Sequence, residues 1–251
     1  MGFGQIDEIS CFTNAREAIE KVECAPEESW IIITDIQMPE MDGLKMITKE
    51  RCMPQLATIP SCVMFGGSFD PPHVGHSAIA QRLCALGAQR LFVVPAFLSP
   101  FKTESLFCAK LRLRWARIVF ANPKIVVSDF EIARGAPTPS LRTLEYLQHH
   151  EESAAKLGIV IGADHLARLH EWFGFESLRQ KAVFVVFARP DSPRDAAILR
   201  AIDFCWVDFC CPYSSTQIRQ ALHAGNREIL HALDSRIADE VWREVWGKNK
   251  F

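Results

Sequence analysis

A short glycine- and histidine-rich stretch carries the most recognisable chemistry of the chain. Residues 66–76 read GGSFDPPHVGH, directly after the apolar run CVMF. Glycines such as Gly66 and Gly67 let a backbone approach a phosphate without a Cβ in the way. His73 and His76 stand where a helix is expected to begin, and the N–H groups and dipole of a helix N-terminus attract anions. Their side chains can add hydrogen bonds or positive charge, so the pattern predicts chemistry on a nucleotide phosphate.

A second stretch, nearer the C-terminal end, could bind the same kind of ligand. Residues 212–219 read PYSSTQIR. Ser214, Ser215 and Thr216 are good helix N-caps, and their hydroxyls, with the N–H groups of the first turn, would make another anion pocket. Arg219 lies one turn further on and could pair with a phosphate. On its own, this pattern is more typical of an ordinary capped helix with a surface arginine.

The elements that must position these residues follow an alternating order from residue 61 onward. The strand candidates are continuous apolar runs such as RLFVV, the pattern of parallel strands buried on both faces. Helical patterns between them predict right-handed βαβ units and an α/β, Rossmann-like doubly wound sheet, which binds ligands beyond its carboxyl strand ends. The predicted strands are 61–65, 90–95, 124–128, 157–162, 182–187 and 204–208. The predicted helices are 76–86, 107–121, 140–150, 164–173, 214–224 and 229–246.

The two phosphate-binding stretches resemble the G-x-F-D-x-x-H-x-G-H and I-S-S-T-x-I-R motifs of the nucleotidyltransferase superfamily, with Tyr213 in place of the usual Ile. Neither a P-loop nor a G-x-G-x-x-G fingerprint occurs in the sequence. Further motifs are similar to those of bacterial nicotinate-nucleotide adenylyltransferases, except that Phe101 replaces a His and Pro139 replaces a Tyr. These motifs are PAFLSPFK at 95–102, DFEIAR at 129–134, TPSLRTL at 138–144, and IGAD at 161–164 followed by Trp172.

This resemblance implies adenylyl transfer from ATP to nicotinate mononucleotide, which yields deamido-NAD and pyrophosphate. Mg²⁺ would arrive with ATP, and the resemblance implies no metal site on the protein itself. Catalysis would fall to His73, His76 and Arg219. The ATP-binding residues would be Gly66, Gly67, Ser68, Phe69, His73, His76, Lys102, Ser214, Ser215, Thr216 and Arg219. The pyridine nucleotide would be bound by Ser140, Asp164 and Trp172.

The N-terminal part of the chain follows a different pattern. Residues 30–43 read WIIITDIQMPEMDG and resemble the phosphoacceptor strand and loop of a response-regulator receiver domain, with Asp35 as the matching phosphoacceptor. The acidic pair and the final lysine-bearing strand of such domains are missing from the sequence. We therefore interpret residues 1–60 as a partial, vestigial receiver-like α/β segment, and residues 61–251 as the nucleotidyltransferase domain.

Composition narrows the class of protein. The chain has 251 residues, 49% of them hydrophobic, which suffices for a sizeable core. A formal net charge of -2 argues against a nucleic-acid partner. No apolar run is long enough for a membrane span, and the first residues lack the pattern of a signal peptide. The nine cysteines form no C-x-x-C, so we expect reduced thiols in a cytoplasmic protein.

Several alternatives stay open from sequence alone. Phosphopantetheine adenylyltransferases share both phosphate motifs but lack the G-A-D…W segment, and cytidylyltransferases carry a different second motif. Nicotinamide mononucleotide is an alternative acceptor. Two alternatives belong to other classes of protein. One is a receiver-linked signalling protein with Asp35 as phosphoacceptor, and the other is a non-catalytic nucleotide sensor. A homo-oligomer is compatible with the sequence.

Overall fold

The computed structural model describes residues 58–98, 104–150, 156–188, 192 and 194–247. The chain divides into two units, Met1–Met53 and Pro54–Phe251, and every described residue belongs to the second unit. The receiver-like segment with Asp35 lies almost entirely outside the described residues, as does Lys102. Those predictions, and the domain boundary at residue 60, remain predictions.

A six-stranded parallel sheet forms the centre of the second unit, as the apolar runs predicted. Its strands are β1 Cys62–Gly67, β2 Arg90–Pro95, β3 Ile125–Val127, β4 Leu157–Gly162, β5 Ala182–Ala188 and β6 Phe204–Asp208. The strand order is β3-β2-β1-β4-β5-β6. This order confirms the doubly wound α/β architecture, and the point where it reverses, between β1 and β4, is the favoured place for a ligand.

The structure contains more helices than the sequence patterns predicted. They are α1 Val74–Ala85, α2 Ala109–Val119, α3 Phe130–Arg134, α4 Ser140–His150, α5 Phe175–Lys181, α6 Ala196–Arg200, α7 Ser215–His223 and α8 Ser235–Trp246, with 3-10 helices at Ala163–Glu171 and Arg227–Ala232. The sequence patterns missed α3, α5 and α6, which are each seven residues or shorter. Among the described residues, no helix has the length and apolarity needed to cross a membrane.

Two predicted α-helices differ in the structure. The stretch predicted at 164–173 is a 3-10 helix because its buried residues, Ala163, Leu166 and Leu169, recur every third residue. Three residues per turn place such residues on one face. The helix predicted at 229–246 is interrupted because Asp234 accepts a hydrogen bond from the Arg236 N–H and so caps a new helix, α8.

The first strand extends through both glycines of the histidine motif. Gly66 lies opposite Val94 and Gly67 opposite Pro95 in the register of β1 and β2. The sequence had predicted that the strand ends at residue 65 and the turn begins at Gly66. Pairing with β2 continues the strand, so the turn towards α1 begins instead at Ser68.

A buried arginine holds this turn in place. Arg112, on α2, is 1% exposed and donates four hydrogen bonds of 2.6–3.1 Å to backbone carbonyls. Those carbonyls belong to three segments of chain: the turn after β1, the segment after β2, and the residues before α2. A guanidinium has five N–H donors in a fixed plane and can make all four bonds, whereas an ammonium group has only three donors. The accepting residues are Ser68, Ala96, Phe97 and Phe107.

Asp70 provides the opposite charge in the same region. Its carboxylate is 1% exposed and accepts hydrogen bonds from the N–H groups of Leu106 and Phe107, at 2.9 and 3.0 Å. Burial lowers the pKa of Arg112, and the charge of Asp70 acts in the opposite direction. Each buried ion is therefore hydrogen-bonded and lies close to a charge of the other sign, which is the condition under which buried charges are tolerated.

We predict that Arg112→Lys lowers the free energy of unfolding by about 2–4 kcal/mol, because lysine keeps the charge but leaves buried carbonyls without a donor. The measurement is chemical denaturation of the variant and the parent protein. Arg117→Lys is the matched control, since Arg117 lies on the same helix with its side chain 54% exposed and pairs with Asp129. The control should stay within about 0.5 kcal/mol of the parent. Equal stability of both variants would contradict the role of Arg112.

Candidate active site

The two histidines of the first motif form a capping box at the start of α1. His73 is the N-cap, and its Nδ1 accepts a hydrogen bond from the Gly75 N–H at 3.1 Å. His76 is the third helical residue, and its Nδ1 accepts from the His73 N–H at 3.2 Å. The spacing of three therefore has a structural reason, because each ring satisfies a backbone donor at the helix end. The rings lie 3.8 Å apart between centroids.

The glycine between the histidines is required by close packing. A Cβ on Gly75 would lie 2.8 Å from Sγ of Cys211 and 2.9 Å from Cε1 of His73. A side chain at this position would displace the His73 ring from its capping geometry. The pattern H-x-G-H thus describes one packed helix terminus, with the thiol of Cys211 against it.

The structure brings the second motif to the same place. Ser215 is the first residue of α7, and its Oγ lies 3.2 Å from Nε2 of His73. Because Nδ1 of His73 accepts a hydrogen bond, its hydrogen is on Nε2 and it donates to the serine. Arg219 donates to the Asp70 carbonyl oxygen at 3.2 Å and to Oγ1 of Thr216 at 3.1 Å. Two helix N-termini, far apart in sequence, therefore converge.

The His73 imidazole is neutral at physiological pH. Burial, with a smaller contribution from the Arg219 charge, lowers the pKa of His73 from 6.5 to about 4. The sequence left open whether this histidine supplies charge or hydrogen bonds, and in the structure it supplies hydrogen bonds. The positive charge at this site comes from Arg219 and from the ends of α1 and α7.

A cavity of about 790 Å³ opens at this point, in the size range of small-molecule sites. It lies beyond the carboxyl ends of β1 and β4, at the switch point of the sheet. The predicted site residues that line it are Gly66, Gly67, Ser68, His73, His76, Ser140, Asp164, Trp172 and Ser214. The predicted residues that are described but lie outside this lining are Phe69, Ser215, Thr216 and Arg219.

The side chain of Phe69 belongs to the hydrophobic core, and the contact between its backbone and the nucleotide remains a prediction. Its side chain is 1% exposed and packs edge-on against Phe65, 5.3 Å away between ring centroids, and against His76 at 4.9 Å. The backbone of Phe69 has φ 45°, a strained value for a non-glycine residue. Burial of the ring offsets this strain, and the ring packs against the His76 imidazole.

The far end of the cavity is built by α4 and the 3-10 helix Ala163–Glu171. Ser140 begins α4, and Asp164 and Trp172 lie at the two ends of the 3-10 helix. The indole N–H of Trp172 is buried and has no hydrogen-bond partner among the described residues. An aromatic face with a donor beside a helix N-terminus suits a planar ring that carries an anionic group.

Sequence reasoning missed four residues of this region. Arg112 resembled its surface neighbours in the amphipathic run LRLRWAR, so nothing local marked it as buried. Asp70 and Glu131 belonged to recognised motifs, yet the spacing gave no role for their carboxyl groups. Cys211, which lines the cavity, was read as one of several scattered thiols. The burial and the contacts of these four residues become visible only when distant segments of the chain are brought together in the fold.

Comparison with known proteins supports the sequence motifs. Residues 64–221 match the Cytidylyltransferase-like family. A protein from Sulfurimonas denitrificans named "Probable nicotinate-nucleotide adenylyltransferase" is 35% identical over 182 residues, which cover 71% of this chain and 91% of that protein. A Sulfurovum protein with the same name is 33% identical over 193 residues, which cover 76% of this chain and 97% of its own length.

Solved structures share the fold. A Plasmodium falciparum nicotinic acid mononucleotide adenylyltransferase, complexed with NaAD, has a TM-score of 0.63 at 19% identity and covers 74% of this chain and 97% of its own. A Vibrio parahaemolyticus protein described as a putative nicotinate-nucleotide adenylyltransferase has a TM-score of 0.53 at 17% identity, covering 72% and 97%. At these identities the likeness concerns the architecture of the sheet and helices.

We predict that the contribution of His73 to stability falls as pH decreases from 6.5 towards 4. The unfolded chain binds the proton more tightly than the folded one in this window, so acid favours unfolding. The difference in free energy of unfolding between the parent and His73→Asn should change by at most about 3 kcal/mol across it. Asparagine retains an N-cap acceptor, and subtraction cancels the other titrating groups. Parallel pH profiles of the two proteins would contradict the prediction.

Proposed function

The chain belongs to the nicotinate-nucleotide adenylyltransferase family, and from this premise we propose how its residues perform adenylyl transfer from ATP to nicotinate mononucleotide. The products are deamido-NAD and pyrophosphate, in the biosynthesis of NAD. The observation that carries the proposal is the convergence of the two helix N-termini of α1 and α7 on one cavity at the switch point. Each motif alone would be a capped helix, whereas together they surround an anion.

The phosphates of ATP occupy the end of the cavity formed by the two motifs in this proposal. Backbone N–H groups of Gly66, Gly67 and Ser68 and the N-terminus of α1 approach the nucleotide closely. Ser214, Ser215, Thr216 and Arg219 hold the β- and γ-phosphates, together with Lys102, which lies outside the described residues. Ser215 is bonded to His73, the N-cap of α1, and Arg219 to the carbonyl oxygen of Asp70 in the turn before that helix, which supports this placement.

The reaction needs charge stabilisation more than proton transfer. The 5′-phosphate of the mononucleotide is already an anion at neutral pH, and it attacks the α-phosphorus of ATP in line with the departing pyrophosphate. Positioned donors therefore supply the catalysis. The neutral His73 suits this role, because it fixes the helix terminus and Ser215 without accepting a proton near neutral pH.

The mononucleotide occupies the end of the cavity near α4. Trp172 stacks on the pyridine ring in this proposal, Asp164 binds ribose hydroxyls, and Ser140 lies at the α4 N-terminus beside the ring substituent. Pro139 occupies the position at which the related family has a tyrosine. In this proposal, the backbone near Pro139 therefore contributes more to binding of the mononucleotide than the Pro139 side chain does.

A divalent metal generally accompanies ATP in nucleotidyltransferases of this family, and we propose Mg²⁺. The side chains around the phosphate end are hydroxyl, imidazole and guanidinium groups, which donate hydrogen bonds to phosphate oxygens. That donor set fits a cation bound mainly by the phosphate oxygens and water. The chemistry it supplies is neutralisation of charge on the departing pyrophosphate.

We predict that His76→Ala lowers kcat by roughly 10²–10⁴-fold, the cost of losing a preorganised donor at the α-phosphate. Its Nδ1 accepts from the His73 N–H, which leaves the hydrogen on Nε2 for that role. His76→Gln separates the chemical role from the capping role, because glutamine at this helix position also accepts from the N-cap N–H. The glutamine variant should keep the parent stability and still lose kcat. Parent-like kcat in the alanine variant would refute the assignment.

The function itself is tested by pyrophosphate release from ATP and Mg²⁺ with three acceptors in parallel. These acceptors are nicotinate mononucleotide, nicotinamide mononucleotide and phosphopantetheine. Turnover with nicotinate mononucleotide, and slower turnover with phosphopantetheine, is the expected result. Faster turnover with phosphopantetheine, or ATP binding without turnover of any acceptor, would contradict the proposal.

A further inference from the structure

A buried carboxyl group in the cavity wall has no role in the mechanism above. Glu131 lies on α3, is 7% exposed and lines the cavity together with Thr138, Pro139 and Ser140. It therefore belongs to the end of the cavity that receives the acceptor nucleotide in the proposed function. A buried glutamic acid in a ligand cavity is costly unless it is paired or neutral.

Contact with α4 fixes the position of this carboxyl. Thr143 is fully buried and donates from Oγ1 to Oε1 of Glu131 at 2.6 Å. Thr143 lies three residues after Ser140, the first residue of α4. A helix rises about 4.5 Å over that interval, so the carboxyl lies within about one turn of the α4 N-terminus.

One oxygen of the carboxyl remains for a ligand. Thr143 is the hydrogen-bond partner of Glu131 within the part of the chain that the structure describes, and it occupies Oε1. A protonated carboxyl can donate from its second oxygen, whereas an ionised one can only accept. The protonation state of Glu131 therefore decides which group on a substrate can lie beside it.

Burial raises the pKa of Glu131 from 4.5 to about 7, and the hydrogen bond from Thr143 acts in the opposite direction. Arginines on the packed helices α2 and α4 have other partners. On α2, Arg112 is buried and bonded to backbone carbonyls, Arg114 pairs with Glu240 and Arg117 with Asp129. On α4, Arg142 pairs with Glu145. Arg134 lies over the ring of Phe130, and Arg90 is at the opposite end of β2. The other titratable residues that line the cavity are His73, His76, Asp164, His165, Glu171, Cys211 and Tyr213.

We propose that Glu131 determines the preference between acid and amide on the pyridine ring of the acceptor. When protonated, it donates a hydrogen bond to the nicotinate carboxylate; when ionised, it repels that carboxylate and accepts from the amide of nicotinamide. Binding of the acid therefore takes up a proton on Glu131, and binding of the amide does not. This inference rests on the proposed function, because it assigns the pyridine ring to this end of the cavity.

The test is the ratio of kcat/KM for nicotinate mononucleotide to that for nicotinamide mononucleotide, measured from pH 6 to 8.5. The ratio cancels the titration of ATP, of the shared 5′-phosphate and of His73. It should fall by roughly tenfold or more in the parent protein, the expected effect of two like charges in a partly dry site. In Glu131→Gln, which mimics the protonated form, the ratio should stay at its acidic value throughout.

Two further variants separate this role from a structural one. Thr143→Val removes the bond that favours the ionised form, so the midpoint of the fall should move to higher pH. Glu145→Gln makes the same chemical change on α4 at a residue that pairs with Arg142 and Lys181 outside the cavity. This control should retain the parent profile.

Binding calorimetry provides a readout that does not depend on turnover. Titration of each mononucleotide at pH 7.5, in two buffers of different ionisation enthalpy, should reveal greater proton uptake with the nicotinate form. The difference should vanish in Glu131→Gln.

The outcomes distinguish the two proposals. A pH-independent ratio in the parent, or an unchanged fall in Glu131→Gln, overturns the role of Glu131 and leaves the enzymatic function intact. Absence of turnover with both pyridine nucleotides overturns the proposed function. Equal proton uptake with both nucleotides then overturns the role of Glu131 as well.

Discussion

The convergence of two positive helix termini is the constraint on which the rest of the site depends. The N-terminal ends of α1 and α7, together with Arg219, would repel one another in an apolar environment. The bond between His73 and Ser215 and the bond from Arg219 to the Asp70 carbonyl hold them together. Burial of His73 at this junction, with a smaller contribution from the charge of Arg219, lowers its pKa, so the imidazole adds no further positive charge. The same positive charges would attract a polyphosphate in the cavity, so binding of the anion would offset their mutual repulsion.

Two buried charged residues, Arg112 and Asp70, hold the backbone of this region in place. Arg112 connects the turn after β1 to the segment after β2, and Asp70 connects the same turn to the residues before α2. These bonds join backbone atoms of segments that have no regular structure of their own. A loop fixed in this way presents its N–H groups to a ligand with little reorganisation, which is the main requirement of electrostatic catalysis.

The two ends of the cavity use burial differently. At the phosphate end, burial removes the charge of a histidine and leaves hydrogen-bond donors. At the acceptor end, burial raises the pKa of Glu131 and so retains a proton on a carboxyl group near neutral pH. In both places the fold shifts a titratable group towards its neutral form, because a desolvated charge is expensive. Both groups line the cavity beyond the carboxyl ends of the strands, which is the usual ligand position in such a sheet.

The sequence by itself determined the parallel sheet, the two phosphate motifs and the residues of their helix termini. Apolar runs and capping residues act locally, so Ser140 and Ser214 marked helix starts that the structure confirms to within one residue. The predicted start of the helix that ends at Trp246 was wrong. The amphipathic pattern begins at residue 229, but Asp234 caps a new helix that begins at Ser235. Tertiary structure alone decided the burial of Arg112, the neutral state of His73 and the pairing of Glu131 with Thr143. Those properties depend on desolvation and on partners from distant segments, and a linear pattern of residue types contains neither.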